Sequence, residues 1–213
     1  SGVPYGPDFT LLAHDPTGSI PDQRIVGFTL TPNYTTLQDV LLTPVQPANG
    51  ARLSSTALPG TPRDIAVNVS SNRTFLSVGD EVLAFNDKGQ MIARFEDVRG
   101  ATGLSLSGND LFVNARTGRA IVRINTATLA VTGRWLLDSP STGSLVFAGG
   151  HVWFSVGDDQ WTYVSSLDPA TGTTVTTGGS FHEPSFRAIE GNPNLFFLYE
   201  DLWPPSGYVM NGQ

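Results

Sequence analysis

Residues 143–172, GSLVFAGGHVWFSVGDDQWTYVSSLDPATG, contain three short apolar segments separated by turn signals. Ser144–Ala148 is mostly apolar, and Gly149-Gly150 after it is a hairpin signal. Val152–Val156 is rich in β-branched and aromatic residues, and Tyr163–Leu167 has the same character. The segment Asp168-Pro-Ala-Thr-Gly172 is a turn sequence. This stretch therefore predicts consecutive antiparallel strands joined by tight turns.

The same pattern recurs along the chain with a period of about 40 residues, which is typical of a propeller. The centres of the predicted second strands are Phe75, Phe112, Trp153 and Phe196, with separations of 37, 41 and 43 residues. A turn and an apolar strand precede each aromatic residue. Four antiparallel strands per unit form a propeller blade, and each aromatic is expected to fill the space between adjacent blades.

The segments AIVRINTAT (120–128) and VSSLDPATG (164–172) each follow an aromatic strand. They resemble the YVTN/PQQ-like and NHL-like β-propeller repeats, and in particular the virginiamycin B lyase-like repeats. The resemblance extends from Gly60 to about Gly207 and implies a propeller fold. Propellers of this kind serve as lyases, as dehydrogenase cores and as binding platforms, so the resemblance leaves the activity open.

We expect one all-β propeller domain over residues 1–213. Either it closes as a ring of about five blades, which would leave no strand edge open, or it is a fragment of a larger propeller. The predicted divisions are degenerate strands or partial blades in 1–59, blades in 60–98, 99–138 and 139–183, and an incomplete blade in 184–213. In the first division, Phe9–Gly18 contains a degenerate third strand with its turn, and Arg24–Thr31 is the expected fourth strand. Val40–Val45 and Ala51–Leu58 are expected to form another such pair.

Composition restricts the classes of function. The net charge is −7 and no cluster of Lys or Arg occurs, which argues against a nucleic-acid partner. Absence of cysteine excludes disulfides, thiolate metal sites and a cysteine nucleophile. No apolar run reaches the ~18 residues of a membrane span. The sequence begins at Ser1 rather than Met, which predicts a processed, secreted or cell-surface protein.

Three N-glycosylation sequons occur, at Asn33, Asn68 and Asn72. They are compatible with an extracellular location, and about two would arise by chance in a chain this rich in Ser and Thr.

In a propeller, the loops between second and third strands and the loops between blades emerge at the same end. Polar loops also form simply because Asp, Gly and Pro make turns. A histidine with carboxylates could serve in acid–base chemistry or bind a divalent cation, although no metal-ligand motif is present and no cofactor is expected. The catalytic candidates on these loops are His182, Glu183 and Asp158.

Aromatic residues on the same loops could stack on a sugar or contact a peptide, or could pack within the fold. The ligand-binding candidates are Trp161, Asp159, Trp203, Tyr199, Glu200 and Arg116.

Three hypotheses for the function follow from the sequence. The first is a secreted or cell-surface binding module that contacts a protein or glycan through the loops around Trp161, His182 and Trp203. The second is a lyase or hydrolase that uses His182 with Glu183 or Asp158 and a divalent cation. The third is a structural subunit that pairs with further copies or other chains through open blade edges.

Overall fold

The computed structural model describes residues 9–13, 23–28, 57–157, 159–202 and 205–213, the first two ranges as backbone only. The chain divides into two compact units, Ser1–Leu53 and Ser54–Gln213. In the first unit, β1 (Phe9–Ala13) pairs antiparallel with β2 (Gln23–Phe28), two strands that the sequence predicts. The predicted strand Val40–Val45 and nearly all of Ala51–Leu58 lie outside the described residues.

The described part of the second unit consists of four antiparallel sheets that follow one another in sequence, with one short 3-10 turn, Val69–Ser71. In each sheet the strands are hydrogen-bonded in chain order, as consecutive hairpins produce.

The first sheet contains β3 (Pro62–Asn68), β4 (Arg73–Val78), β5 (Glu81–Phe85) and β6 (Met91–Phe95), and the second contains β7 (Ala101–Ser107), β8 (Asp110–Ala115), β9 (Ala120–Asn125) and β10 (Ala130–Leu136). The third contains β11 (Ser141–Ala148), β12 (His151–Val156), β13 (Trp161–Leu167) and β14 (Thr174–His182), and the fourth contains β15 (Ser185–Ile189), β16 (Asn192–Glu200) and β17 (Ser206–Asn211).

The first strands of consecutive sheets lie side by side and are joined by side-chain bridges. The backbone N–H of Leu104 donates to Asp64 Oδ2 over 2.8 Å. Ser105 Oγ accepts the N–H of Phe147 over 2.9 Å, and Ser144 Oγ accepts the N–H of Phe186 over 3.0 Å. Sheets that meet through their first strands in this way are the blades of a β-propeller. The all-β propeller prediction is confirmed, and the four sheets are called blades 1 to 4.

The turns between third and fourth strands have the predicted local chemistry. Oδ1 of Asn125 accepts the N–H groups of Ala127 and Thr128, and Oδ1 of Asp168 accepts the N–H of Ala170. Gly172 closes its turn with a φ of 77°, a left-handed conformation that glycine adopts without strain. Leu129 has a φ of 57° at the end of the turn that Asn125 opens, where the sequence has no glycine.

The aromatic residues of the second strands lie between blades as predicted, but they do not all share one direction. Phe75 and Phe112 are buried against the following blade, and Trp153 packs toward blade 4. Phe196 instead faces the preceding blade, blade 3, and its ring centroid lies 5.2 Å from that of Trp153. The register shift between Ala188 and Ile189 places Phe196 on the opposite face of its strand from the position predicted by the alignment.

Blade 4 differs from the others because it has three strands among the described residues. Side chains of β16 alternate between buried and exposed, so that Phe196 and Leu198 face blade 3. Phe197, Tyr199 and Val209 remain 36%, 38% and 64% exposed. These three residues form what we call the open face of blade 4.

Candidate functional site

The loops between second and third strands meet the loops between blades at one end of the described blades, here called the loop face. The N–H of Arg116 donates to Gly100 O over 3.0 Å, and the N–H of Gly157 donates to Pro140 O over 3.0 Å. The N–H of Glu183 donates to Gln160 O over 2.8 Å. Because backbone groups join each pair of loops, the loop face is a fixed surface rather than a set of independent turns.

A polar cleft of about 410 Å³ opens on the loop face between blades 3 and 4. Arg116 reaches it from blade 2, and Asp159 and Glu183 come from the loops on either side of β13 and β14. The remaining wall consists mainly of hydroxyl and amide side chains: Thr142, Ser144, Gln160, Thr162 and Ser185, together with Pro184.

The charged groups of the cleft retain hydrogen-bonding capacity. Oδ1 of Asp159 accepts the N–H of Gln160 over 2.6 Å. Neither the Arg116 guanidinium nor the Glu183 carboxylate has a hydrogen bond or ion pair to another described residue. Glu183 also has a φ of 42°, a left-handed conformation that is costly for a residue with a Cβ. Such backbone strain persists where surrounding contacts hold it, and it is enriched at binding sites.

The buried wall of the cleft contains an unpaired polar atom. Thr162 is fully buried, yet its hydroxyl oxygen has no hydrogen-bond partner among the described residues. The other buried side-chain polar atoms of the described blades have partners. A buried hydroxyl without a partner costs free energy, so its position on a ligand-sized cleft requires an explanation.

A second group of candidates lies at the end of the outermost strand of blade 3 and is called the rim cluster: Trp161, His182, Glu200, Asp201 and Tyr208. The rings of Trp161 and His182 are in edge contact, with centroids 5.3 Å apart. Glu200 Oε1 accepts the backbone N–H of His182 over 2.9 Å, and the His182 ring Nδ1 lies 2.9 Å from Asp201 O.

Glu200 is buried, and its second oxygen accepts the Tyr208 hydroxyl over 2.9 Å. This hydrogen bond raises the pKa of Tyr208 because it stabilises the protonated phenol. The polar groups of the rim cluster are thus largely paired with one another, whereas Arg116, Thr162 and Glu183 of the cleft have side-chain polar groups without a partner among the described residues.

The sequence-predicted residues are therefore distributed over three places. Arg116, Asp159 and Glu183 line the cleft; Trp161, His182 and Glu200 belong to the rim cluster; and Tyr199 is on the open face of blade 4. Asp158 and Trp203 lie outside the described residues. The neighbours His182 and Glu183, which the sequence pairs as catalytic candidates, belong to different groups.

Sequence reasoning missed the hydroxyl wall of the cleft, above all Thr162. A signal was available in the alternation of β13, where Thr162 lies between Trp161 and Tyr163, each 52% exposed. A polar residue on the buried side of a strand, one residue from a loop, indicates either a hydrogen-bonded network or a site.

No three His, Asp or Glu side chains converge as a metal-binding group in the part of the chain that the structure describes. No helix within that part has the length and apolar character to cross a membrane.

Two of the three sequons lie in described residues. Nδ2 of Asn68 donates to Gly108 O over 2.9 Å and to Thr126 Oγ1 over 2.8 Å, and the residue is buried. Asn72 is exposed at the end of the 3-10 turn. Asn33 lies outside the described residues. Of the two described asparagines, Asn72 has the side chain that a glycan could occupy without displacing a buried contact.

Comparison with solved structures supports the fold. The chain is similar to the hydrazine synthase of Kuenenia stuttgartiensis, at 13% identity and a TM-score of 0.59 over 74% of this chain and 47% of that one. It is similar to the computationally designed Ika4 protein, at 15% identity and a TM-score of 0.58 over 74% and 95% of the two chains. The Dos1 propeller matches at 11% identity and a TM-score of 0.57 over 72% and 45%.

At these identities the likeness concerns the fold alone, and the chain spans about half the length of the hydrazine synthase and Dos1 chains. No protein-family model and no curated protein sequence matches it. Strand order, blade contacts and structural likeness agree on the class: a β-propeller.

Proposed function

We propose that this protein is a binding module whose propeller scaffold presents the loop face to a protein or glycan partner. The observation that carries the proposal is the cleft, where the charged groups of Arg116 and Glu183 have no partner among the described residues and Asp159 accepts the N–H of the adjacent Gln160. Backbone hydrogen bonds between the loops fix the positions from which these side chains extend, so little backbone conformational entropy would be lost on binding. Propellers in general serve as platforms for protein partners, which favours this class over an enzyme.

The test compares a loop-face variant, Arg116→Ala with Asp159→Ala, with a control that removes two exposed charges at the opposite end, Asp87→Ala with Glu190→Ala. Binding to an array of purified extracellular proteins and to an array of immobilised oligosaccharides would be measured for each. We expect the loop-face variant to lose affinity at least tenfold while the control retains it. Equal binding by both variants would contradict the proposal.

A location outside the cell forms part of the proposal and is supported by the exposed sequon at Asn72. Secretion of the chain from a eukaryotic host, followed by intact mass, tests whether this sequon accepts a glycan. Asn72→Gln should remove a glycan-sized mass and leave the fold unchanged. The resemblance to virginiamycin B lyase-like repeats, and with it the lyase or hydrolase hypothesis for His182, stays a prediction.

A second candidate function is supported by the open face of blade 4, on which Phe197, Tyr199 and Val209 are exposed. The corresponding faces of the preceding blades are covered by the next sheet, which makes assembly through this face a specific alternative. Val209→Glu should reduce self-association measured by light scattering between micromolar and millimolar concentrations. Val131→Glu, at a 52% exposed position of blade 2, is the matched control. An unchanged mass for wild type and both variants would exclude self-assembly by this face.

A further inference from the structure

The wall of the cleft has a composition that narrows the chemistry of its ligand. Apart from Pro184, every side chain of the wall can form hydrogen bonds. Protein partners usually anchor themselves through aromatic or aliphatic side chains in apolar pockets, which this wall does not provide. The volume, about 410 Å³, falls within the range of small-molecule sites. The cleft therefore suits a small, hydrophilic group.

The cleft wall contains both hydrogen-bond donors and acceptors. The guanidinium of Arg116 donates, and the carboxylates of Asp159 and Glu183 accept. Ser144 Oγ already accepts the N–H of Phe186, so its own proton remains free to be donated. A ligand that matches this wall must both accept and donate hydrogen bonds. Vicinal hydroxyl groups do so, because each hydroxyl carries one donor and two acceptor sites.

Thr162 supplies the independent observation that a ligand group belongs here. Its buried hydroxyl has no described partner, and it lies in the wall of the cleft rather than inside a blade interface. A ligand hydroxyl would provide the missing hydrogen bond and remove the cost of the unpaired group. Glu183, on the same wall, has a left-handed φ of 42°.

We propose that the cleft is a saccharide subsite that binds one neutral pyranose unit, with Arg116, Asp159, Thr162 and Glu183 as its hydrogen-bonding residues. This inference rests on the proposed function and specifies the ligand at the same loop face. The pyranose comes either from the glycan of a glycoprotein or from a free polysaccharide. A bound amino acid or peptide would be a different class of ligand and is treated below as an outcome of the test.

The first experiment probes direct binding. Wild-type protein is titrated by calorimetry with D-glucose, D-galactose, D-mannose and N-acetyl-D-glucosamine, and is applied to an array of their oligosaccharides. We expect saturable binding to at least one of these probes. Absence of binding to all of them, or binding of free amino acids in their place, overturns the inference.

The second experiment uses Thr162→Val, which removes the hydroxyl and preserves the shape of the side chain. The variant should bind the saccharide about tenfold more weakly, since one hydrogen bond is lost. Its thermal stability should be equal or higher, since the unpaired buried hydroxyl is gone. Thr174→Val, at an exposed position of β14, is the control and should change neither quantity. Saccharide binding that Thr162→Val leaves unchanged overturns the inference.

Two further experiments distinguish a glycoprotein from a free polysaccharide as the source of the sugar. They also distinguish failure of the saccharide subsite from failure of the proposed binding function. A glycoprotein partner found in the protein array would be tested before and after enzymatic deglycosylation, and a free polysaccharide would be tested as a competitor. Loss of binding on deglycosylation supports the saccharide subsite with a glycoprotein as its source. Partner binding that survives deglycosylation but needs Arg116 leaves the binding module intact and overturns the saccharide subsite.

Discussion

Blades 2 and 4 are built from similar sequences but differ in what covers them. In β8 of blade 2, the five residues from Leu111 to Ala115 are all buried, because blades 1 and 3 pack on its two faces. In β16 of blade 4, buried and exposed residues alternate, and Phe197 and Tyr199 remain accessible. The same kind of strand is therefore a core element in one blade and a surface element in the other.

The difference shows that an aromatic side chain in this repeat contributes to the free energy of unfolding only when a neighbouring blade covers it. The strand on which it lies does not decide this contribution. One blade cannot bury both of its faces alone.

The largest expected difference in the free energy of unfolding is between Phe112→Ala and Phe197→Ala. Phe112 is 2% exposed and stacks on Phe147 with ring centroids 5.1 Å apart. Its removal should lower the free energy of unfolding by about 3–5 kcal/mol, because a large cavity remains. Phe197→Ala should cost less than about 1 kcal/mol, since its ring is partly solvated. Urea denaturation followed by tryptophan fluorescence measures both, and equal losses would mean that another chain segment covers blade 4.

A smaller difference in the free energy of unfolding is expected between two substitutions of asparagine, one in blade 2 and one in blade 4. Asn114 in β8 is fully buried, and its Nδ2 donates to Gly143 O of blade 3 over 2.8 Å. Asn114→Ala should lower the free energy of unfolding by about 1–3 kcal/mol, because buried polar groups lose their partner. Among the described residues, the side chain of Asn211 in β17 bonds only the nearby N–H of Gln213. Asn211→Ala should therefore change stability by less than about 0.5 kcal/mol. The contrast fails if the two variants unfold at the same urea concentration.

The smallest expected effect concerns Asp64, which bridges blades 1 and 2. Burial raises the pKa of its carboxyl, although the N–H groups of Leu104 and Ile65 and the charge of Arg187 oppose this. A raised pKa means that the folded state holds the proton more tightly than the unfolded state. The stabilising contribution is then complete below the unfolded pKa and disappears as the pH rises through the folded pKa.

Wild type should accordingly lose stability relative to Asp64→Asn as the pH rises from about 3.8, the ordinary pKa, through the raised value. The variant also replaces one acceptor by a donor, but that offset does not depend on pH. Unfolding curves of both proteins from pH 3 to pH 7 provide the test. A stability difference that is constant over this range would refute the assignment.

The fold was predictable from sequence because its signals are local. Asn125 and Asp168 open turns through hydrogen bonds to residues two positions ahead. The first and second strands of each blade are rich in apolar residues. The direction of Phe196 was not predictable in this way. It depends on a register shift in which Ala188 pairs with Phe196 but Ile189 pairs with Asn192, so β16 contains three extra residues there. An odd number of extra residues moves every following side chain to the other face.

The candidate site was only partly predictable. The loops that meet at one end follow from strand order alone, so Arg116, Asp159 and Glu183 could be placed at the same end, although sequence reasoning assigned Glu183 a catalytic role and the other two a ligand-binding role. Adjacent residues of a strand, however, point to opposite faces, so Trp161 joined the rim cluster while Thr162 joined the cleft. The unpaired hydroxyl of Thr162 depends on the absence of a partner from other blades, which no local pattern encodes.

The side-chain bridges between first strands have a consequence for how the chain folds. Asp64, Ser105 and Ser144 each accept a hydrogen bond from the next sheet in sequence, 40 to 42 residues away. Each of these bridges joins one blade to the next blade in sequence, as in a one-dimensional array of repeats. Folding of such an array can start in a middle repeat and extend outward. Amide hydrogen exchange would record this order, slowest in β8 and β9, which have neighbours on both sides, and fastest in β17.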